Sequence, residues 1–542
     1  MCLRCRFLAV SSSEKYNCAL SDWTKRGVTV ANLLGLYTSG LGLVFKPDVI
    51  LFTFAGTFLG IIIGALPGLT AVMGVAILIP LTYGLSAEVA LMALLGVYCG
   101  AVYGGSISAT LLSIPGTPAA VMTTMDAHPM AKKGEAGRAL GLATVCSFIG
   151  GALSVIALSV SAPLIANFAL KFTSIELFSI AIFGLSIMAY VAPGSSVLKA
   201  FVSGIFGLLI ATIGLDPMSA YPRFTFGRPE LITGVEFISA MIGLFGLGEA
   251  LSQVEARAVV AEVQTALGRI IPRWDDMKRI IGTMLRSTVI GTIIGAIPGT
   301  GATIASIVSY GQEKRISKHP ERFGTGCPEG IAASETANNA CTGGAMIPLL
   351  SLGIPGDSVT ALLVGAFMIH GLRPGPLLFT ERPDLVSAIF LGMFVANVFM
   401  LILGLGGARL FAMILKIPKD LLNTLVIALC FVGSYAIRNS VFDMEVMLAF
   451  GALGYAFRKA GIPDAPLVLA LILGPMMESN LRRTLALCDG NVVTFLQAFT
   501  QHPIAGVTML ATVALLLSPL IIRRRSTAPQ RIRAEDRISG KG

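Results

Sequence analysis

Apolar positions in this chain neither alternate nor form one stripe of a surface helix; they run on. Nearly unbroken apolar stretches occupy residues 139–160, 175–192, 197–214, 386–407 and 504–522. A helix needs roughly 20 such residues to cross a hydrocarbon layer of about 30 Å. The pattern predicts an all-α polytopic membrane protein of about eleven or twelve transmembrane helices. A transmembrane barrel would instead read as short alternating segments.

Two of the apolar stretches are interrupted in the same way. "GIIIGALPGLTA" fills residues 60–71, and "GTIIGAIPGTGA" fills residues 291–302. Eight of thirteen residues agree between 60–72 and 291–303, Pro67/Pro298 and Gly68/Gly299 among them. A second match follows each. "GGSISATLLSIPGTP" (104–118) resembles "GGAMIPLLSLGIPGDS" (343–358), and both hold Ile-Pro-Gly. Two matches in the same order indicate an internal duplication. The organisation read from this is a polar N-terminal extension over 1–30, expected to be disordered. Membrane repeat 1 spans 31–250, an amphipathic cytoplasmic linker 251–280, membrane repeat 2 281–522, and a basic cytoplasmic tail 523–542. The extension raises a further expectation, that translation starts near Val28.

Composition agrees with a membrane protein: 54% of residues are hydrophobic and 13% charged, with mean hydropathy +0.80. A soluble domain carries about 25% charged residues. The net charge of +10 is half supplied by the tail, with seven basic residues against two acidic. A basic membrane protein is read as topology rather than nucleic-acid binding, because Lys and Arg collect on the cytoplasmic side. The loop between the breaks of half one, 83–88, has no basic residue, whereas 128–138 after its second break has three. In half two the loop between the breaks carries Lys314, Arg315, Lys318 and Arg322. The bias swaps between equivalent loops, so the halves are expected to be inverted repeats. Nine scattered Cys suggest no disulfide framework, and Cys2-x-x-Cys5 has no second pair to complete a zinc site. Four His, without a metal spacing, nucleophile elbow or nucleotide loop, leave no catalytic constellation, and the reading is not an enzyme.

Pro removes an amide donor and disfavours helix in the residue before it, and Gly permits backbone that other residues avoid. A Pro-Gly break in a buried apolar helix bares N–H and C=O groups, which survive only against protein or a water-filled cavity. Broken helices or re-entrant hairpins paired across two inverted halves mark the binding site of a secondary transporter. Residues 89–125 hold no charge and are rich in Gly, Ser and Thr. The breaks and their polar neighbours are the candidate substrate-binding residues. In half one these are Pro67, Gly68, Thr70, Ser106, Ser108, Pro115, Gly116 and Thr117; in half two they are Pro298, Gly299, Thr300, Gly301, Thr303, Asn338 and Asn339. Hydroxyls, amides and bare N–H groups suit carboxylates. Gly353, Pro355, Gly356 and Asp357 are read as the site of a coupling cation, because an intramembrane carboxylate is costly unless it has a role.

"GALPGLTA", "YGGSISATLLSIPGTPAAVMT", "AIPGTGATIASIVSYGQEKRIS", "PEGIAASETANNACTGGAMIPLLSLGIPGDSVTALLVGAF" and "GPMMESNLRRTLAL" resemble the large permease subunit of the tripartite tricarboxylate transporters, the TctA family. The resemblance covers roughly residues 45–500; "CDGNVVTF" (488–495) and the polar N-terminus depart from it. It implies a multi-pass protein of the bacterial inner membrane, importing citrate-like carboxylates by uptake driven by a gradient of Na+ or H+, with no other cofactor. It also implies two partners, a small TctB-like membrane subunit and a periplasmic TctC-like binding protein. The alternative is a partner-independent carboxylate carrier or channel of the same fold.

Overall fold

The computed structural model describes residues 40–191, 197–216, 218–255, 267–415, 417 and 419–526. The N-terminal extension, the centre of the linker and the tail beyond Ser526 lie outside these residues. The described chain is helical apart from one two-residue antiparallel ladder, Gly214–Leu215 against Pro222–Arg223.

Half one contains α1 (Pro47–Ala65), α2 (Ala71–Leu78), α3 (Ala87–Leu112), α4 (Val121–Met130) and α5 (Ala136–Ala169). Next come α6 (Ser174–Val191), α7 (Val197–Ala211) and α8 (Phe237–Glu255). Half two repeats the first series as α9 (Trp274–Ala296), α10 (Gly301–Ile316), α11 (Pro328–Leu352), α12 (Ser358–Ile369) and α13 (Pro383–Gly406). The chain closes with α14 (Lys419–Arg438), α15 (Val441–Ala460), α16 (Ala465–Leu487), α17 (Val492–Gln501) and α18 (Pro503–Ser526).

The breaks form for the same local reasons in both halves. α1 stops at Leu66 (φ −77, ψ 115) and α9 at Ile297 (φ −87, ψ 117), the extended backbone that the residue before a proline prefers. α3 stops at Ser113 (φ 60) and α11 at Gly353 (φ 74), both left-handed. The short helices restart on caps. Thr70 accepts from the Met73 N–H at 3.2 Å, and Asp357 accepts from the Thr360 N–H at 2.8 Å. The Thr360 hydroxyl oxygen accepts in turn from the Asp357 N–H at 2.9 Å, completing a capping box.

Packing repeats as well. A Cβ at Gly60 would stand 2.5 Å from the Val97 carbonyl oxygen, and one at Gly64 2.1 Å from that of Ala101. In half two, Gly291 faces Ala337 O at 2.4 Å and Gly295 faces Cys341 O at 2.6 Å. Four-residue glycine spacing lets the backbones of α1 and α3, and of α9 and α11, approach as no larger residue would allow. Gly116 meets Gly64 O, and Gly356 meets Gly295 O, so each second break is seated on its own first helix. The same contacts at displaced positions are the structural counterpart of the sequence repeat.

Six helical segments among the described residues are long and apolar enough to span a membrane: Pro47–Ala65, Ala87–Leu112, Pro118–Ala169, Phe237–Glu255, Pro383–Gly406 and Leu421–Arg438. A pair bent by 107°, Val492–Gln501 with Pro503–Leu517, is a seventh if taken as one span. This is fewer than the sequence pattern suggests. Ala71–Thr82, Ser174–Met188, Val197–Ala211 and Ser358–Ile369 are apolar but short. At 1.5 Å per residue, a 12-residue helix covers only about 18 Å of a layer of about 30 Å.

The two ends of the bundle are defined by contacts between the halves. Arg382 pairs with Glu88 at 3.6 Å at one end. At the other, Lys133 donates to Thr325 O at 2.7 Å, and Asp126 Oδ1 accepts from the N–H groups of Gly324, Gly326 and Cys327. α5 and α13, which follow the second break in each half, run antiparallel: Gly151 meets Asn397, and Gly404 meets Thr144.

Candidate functional site

All four breaks converge on one cavity of about 400 Å³. Half one contributes Thr70 from its first break and Thr117 from its second; half two contributes Gly299, Thr300, Gly301 and Thr303 from its first and Asp357 from its second. Unwound backbone from widely separated positions therefore bounds one space, the condition under which broken helices are tolerated in a membrane bundle.

Within the site, Gly299 N–H donates to Gly356 O at 2.8 Å, tying the half-two breaks together. Gly299 itself holds φ 83, a left-handed conformation that suits glycine. Thr117 Oγ1 is buried and has no hydrogen-bond partner among the described residues. Asp357 Oδ1 accepts from the Thr360 N–H and hydroxyl, and its Oδ2 accepts from Tyr98 Oη at 2.6 Å. Arg458 on α15 reaches the cavity with its guanidinium held by Glu249 at 3.3 Å, Asp464 at 3.1 Å and Leu244 O at 3.1 Å. Its Nη1 has no partner among the described residues.

Several candidates from the sequence lie behind the cavity. Pro67, Pro115, Gly116, Pro298, Gly353, Pro355 and Gly356 shape the breaks without lining the space. Gly68 is turned to α8, where its carbonyl accepts from Gln253 Nε2. Ser106 and Ser108 are buried on α3, with Ser108 bonded to Gly105 O at 3.4 Å. Asn338 donates to Val102 O at 3.3 Å and Asn339 to Ser147 Oγ at 2.8 Å, so both belong to a polar cluster beside the site. The cation set over 353–357 is not brought together on the cavity. Of its members only Asp357 faces it, and the Gly356 carbonyl is already used by Gly299.

Tyr98, Met188, Glu249, Arg458 and Asp464 are cavity residues that the sequence reading missed. Tyr98 lies inside the charge-free stretch 89–125, which also holds Tyr103, so nothing in the sequence singled it out. Arg458 ends an apolar helix next to Lys459, a pattern that reads as an ordinary helix terminus. Nothing in the repeat points to it, because α15 lies outside both matched series.

Discontinuous helices that close around a cavity inside a membrane bundle are the arrangement in which secondary transporters build their binding sites. The family model for the tripartite tricarboxylate transporter TctA family matches residues 50–469, and the chain belongs to that family. It is 37% identical over 500 residues to an uncharacterised 52.8 kDa protein of Agrobacterium vitis, encoded in the TAR-I ttuC' 3' region. That alignment covers 91% of this chain and 98% of the relative. A second Agrobacterium vitis protein, from the TAR-II ttuC' 3' region, is 39% identical over 238 residues, 43% of this chain and 97% of its own. No solved structure matches the chain.

Proposed function

We propose that this protein is the large permease subunit of a binding-protein-dependent secondary transporter that imports carboxylates of the citrate class across the bacterial inner membrane, driven by an ion gradient. The observation that carries the reading is the meeting of all four Pro-Gly breaks at one cavity. The antiparallel run of α5 and α13 supports inverted repeats, the arrangement that lets a bundle open to either side around a fixed site.

The chemistry of the cavity supports an anionic substrate that enters with a cation or a proton. Arg458 brings the one guanidinium among the described lining residues, and Thr117 adds a hydroxyl-bearing side chain. Gly299 to Gly301 present unwound backbone on the other wall. Yet Asp357, Glu249 and Asp464 outnumber the single guanidinium. An anion admitted alone would add charge of the wrong sign to a desolvated site, so a co-transported positive ion balances it. Substrate choice and delivery fall to a periplasmic solute-binding protein, with a small membrane subunit completing the assembly.

The test is uptake into proteoliposomes of labelled citrate, a dicarboxylate and an aromatic acid, with and without the two partners, under imposed Na+ or pH gradients. Gradient-driven uptake of one carboxylate only when both partners are present is the expected result. Equal uptake by the permease alone would favour a partner-independent carrier, and no carboxylate uptake under any gradient would overturn the proposal.

A further inference from the structure

Beside the cavity, but not part of it, α4, α5 and α11 enclose a second polar cluster centred on Glu335. Glu335, Asn338 and Asn339 lie three and four residues apart on α11, on one helix face. All three are buried to 1% exposure or less. Glu335 Oε1 accepts from the Thr123 hydroxyl of α4, and Oε2 from the Ser147 hydroxyl of α5 at 2.9 Å. Asn339 Nδ2 donates to Ser147 Oγ at 2.8 Å and to the Glu335 carbonyl at 3.1 Å. Among the described residues Glu335 forms no ion pair, and Asn338 Oδ1 and Asn339 Oδ1 have no hydrogen-bond partner.

A buried carboxylate without a counter-charge is costly, and a buried amide oxygen without a donor adds to the cost. The cluster holds both. Its hydroxyls are already spent as donors toward the carboxylate or a neighbouring oxygen. Turning an amide over would exchange which end is unpaired without supplying the missing partner. A single proton on Glu335 would neutralise the carboxylate and supply one donor, leaving one amide oxygen still unpaired. A small hard cation takes carboxylate, amide and hydroxyl oxygens as ligands, so one ion among these side chains would meet both needs.

We infer that Glu335, with the side-chain oxygens of Asn338, Asn339, Thr123 and Ser147, forms a binding site for a dehydrated sodium ion. It rests on the transport reading above and gives its co-transported ion a place. The site is joined to the cavity through the helices themselves. Asn338 Nδ2 bonds the carbonyl of Val102, a cavity-lining residue on α3. Thr123 lies on α4, directly after the break that carries Thr117. An ion drawing Glu335, Thr123 and Asn338 together therefore fixes α3, α4 and α11 relative to one another, which sets two walls of the substrate cavity.

The experiment is binding of radiolabelled Na+ to the purified full-length permease in detergent, without partners or substrate and at constant ionic strength with choline. Saturable binding by the wild type is expected. Glu335→Gln and Asn339→Ala should each weaken it about tenfold or more, the scale on which a lost ligand-shell group acts. Asp357→Asn and Arg458→Gln, which alter the neighbouring cavity, should leave it within about twofold. Thermal unfolding in NaCl against choline chloride guards against a misfolded variant: the wild type and Asp357→Asn should gain stability from Na+, and Asn339→Ala should not. No saturable Na+ binding by the wild type would overturn the inference, as would loss of binding in Asp357→Asn with retention in Glu335→Gln. Release of a proton with no Na+ bound would overturn it in favour of a protonated Glu335. Because substrate is absent throughout, these outcomes are independent of whether the permease carries carboxylates.

Discussion

Tyr98 Oη donates to Asp357 Oδ2 at 2.6 Å, joining residues 259 positions apart in the sequence. The phenol belongs to α3 of half one, the carboxylate to the N-cap of α12 in half two, and both line the cavity. This bond locks the second break of one half against a continuous helix of the other. Tyr98→Phe keeps the ring and removes the donor, leaving Asp357 Oδ2 short of a partner. The expected cost is about 1–3 kcal/mol of stability, read as a lower thermal midpoint in detergent, together with slower uptake. Asp357→Asn should preserve the helix cap, since Asn caps as well as Asp, and still slow uptake because the cavity loses a charge. Wild-type stability and uptake in both variants would mean that the contact is incidental.

The breaks give a graded steric prediction. A Cβ at Gly116 would lie 2.1 Å from Gly64 O and 2.6 Å from Ser108 Oγ, with rigid backbone as its first obstacle. At Gly299 it would meet Met188, and φ 83 adds about 1–2 kcal/mol for any other residue. Gly301 has φ 66 but open space, its nearest neighbour being Asp357 Cβ at 3.9 Å. Gly116→Val should therefore fail to assemble a stable bundle. Gly299→Val should insert and lose uptake, and Gly301→Ala should cost only about 1 kcal/mol of strain and retain partial uptake. Size-exclusion profiles and initial rates of the three variants decide it; equal behaviour at all three positions would contradict the geometry.

How far the sequence led can be judged from these residues. Pro67, Pro115, Pro298 and Pro355 located every break, because proline and glycine act on local backbone and need no tertiary partner to declare themselves. Gly60, Gly64, Gly291 and Gly295 fall inside the matched segments, but their role in close packing depends on the partner helices α3 and α11 and was not legible locally. The sequence did not show which polar residues face the cavity. Asn338 and Thr300 are both polar residues beside the breaks of half two, yet only Thr300 reaches the space, since that depends on how α11 is rotated against α3 and α5. Arg458 was hidden more deeply, because its partners Glu249 and Asp464 come from different segments and meet it only in the folded bundle.

Arg458 is the one arginine or lysine lining the cavity among the described residues, and two carboxylates already hold it. Lys at this position keeps the charge but loses the planar fork that can serve Glu249, Asp464 and a substrate carboxylate at once. Arg458→Lys should raise the carboxylate concentration for half-maximal transport about tenfold, worth ~1.4 kcal/mol, with a smaller effect on maximal rate. Arg458→Gln should abolish uptake. If both variants lose thermal stability but keep the half-saturating concentration, Arg458 is a brace for the 461–464 turn and not a substrate ligand.

The orientation of the halves is open to direct labelling. Lys133 bonded to Thr325 O puts the 131–138 and 312–327 loops at one end of the bundle, and Arg382 paired with Glu88 puts the other two equivalent loops together at the other. Equivalent loops of the two halves therefore separate. The basic residues of 128–138 and 312–325 give the first end to the cytoplasm by the positive-inside rule. The native cysteines at 99, 146, 327, 341, 430 and 488 are buried and suit a low background once Cys2, Cys5 and Cys18 are replaced by serine. Single cysteines at Gly134 and Gly324 should then react with a membrane-impermeant maleimide only in inside-out vesicles, and one at Arg382 only in intact cells whose outer membrane is permeabilised. Labelling of positions 134 and 382 from the same side would mean that the repeats share one orientation, and the cavity would then need a different route to alternate between the two faces of the membrane.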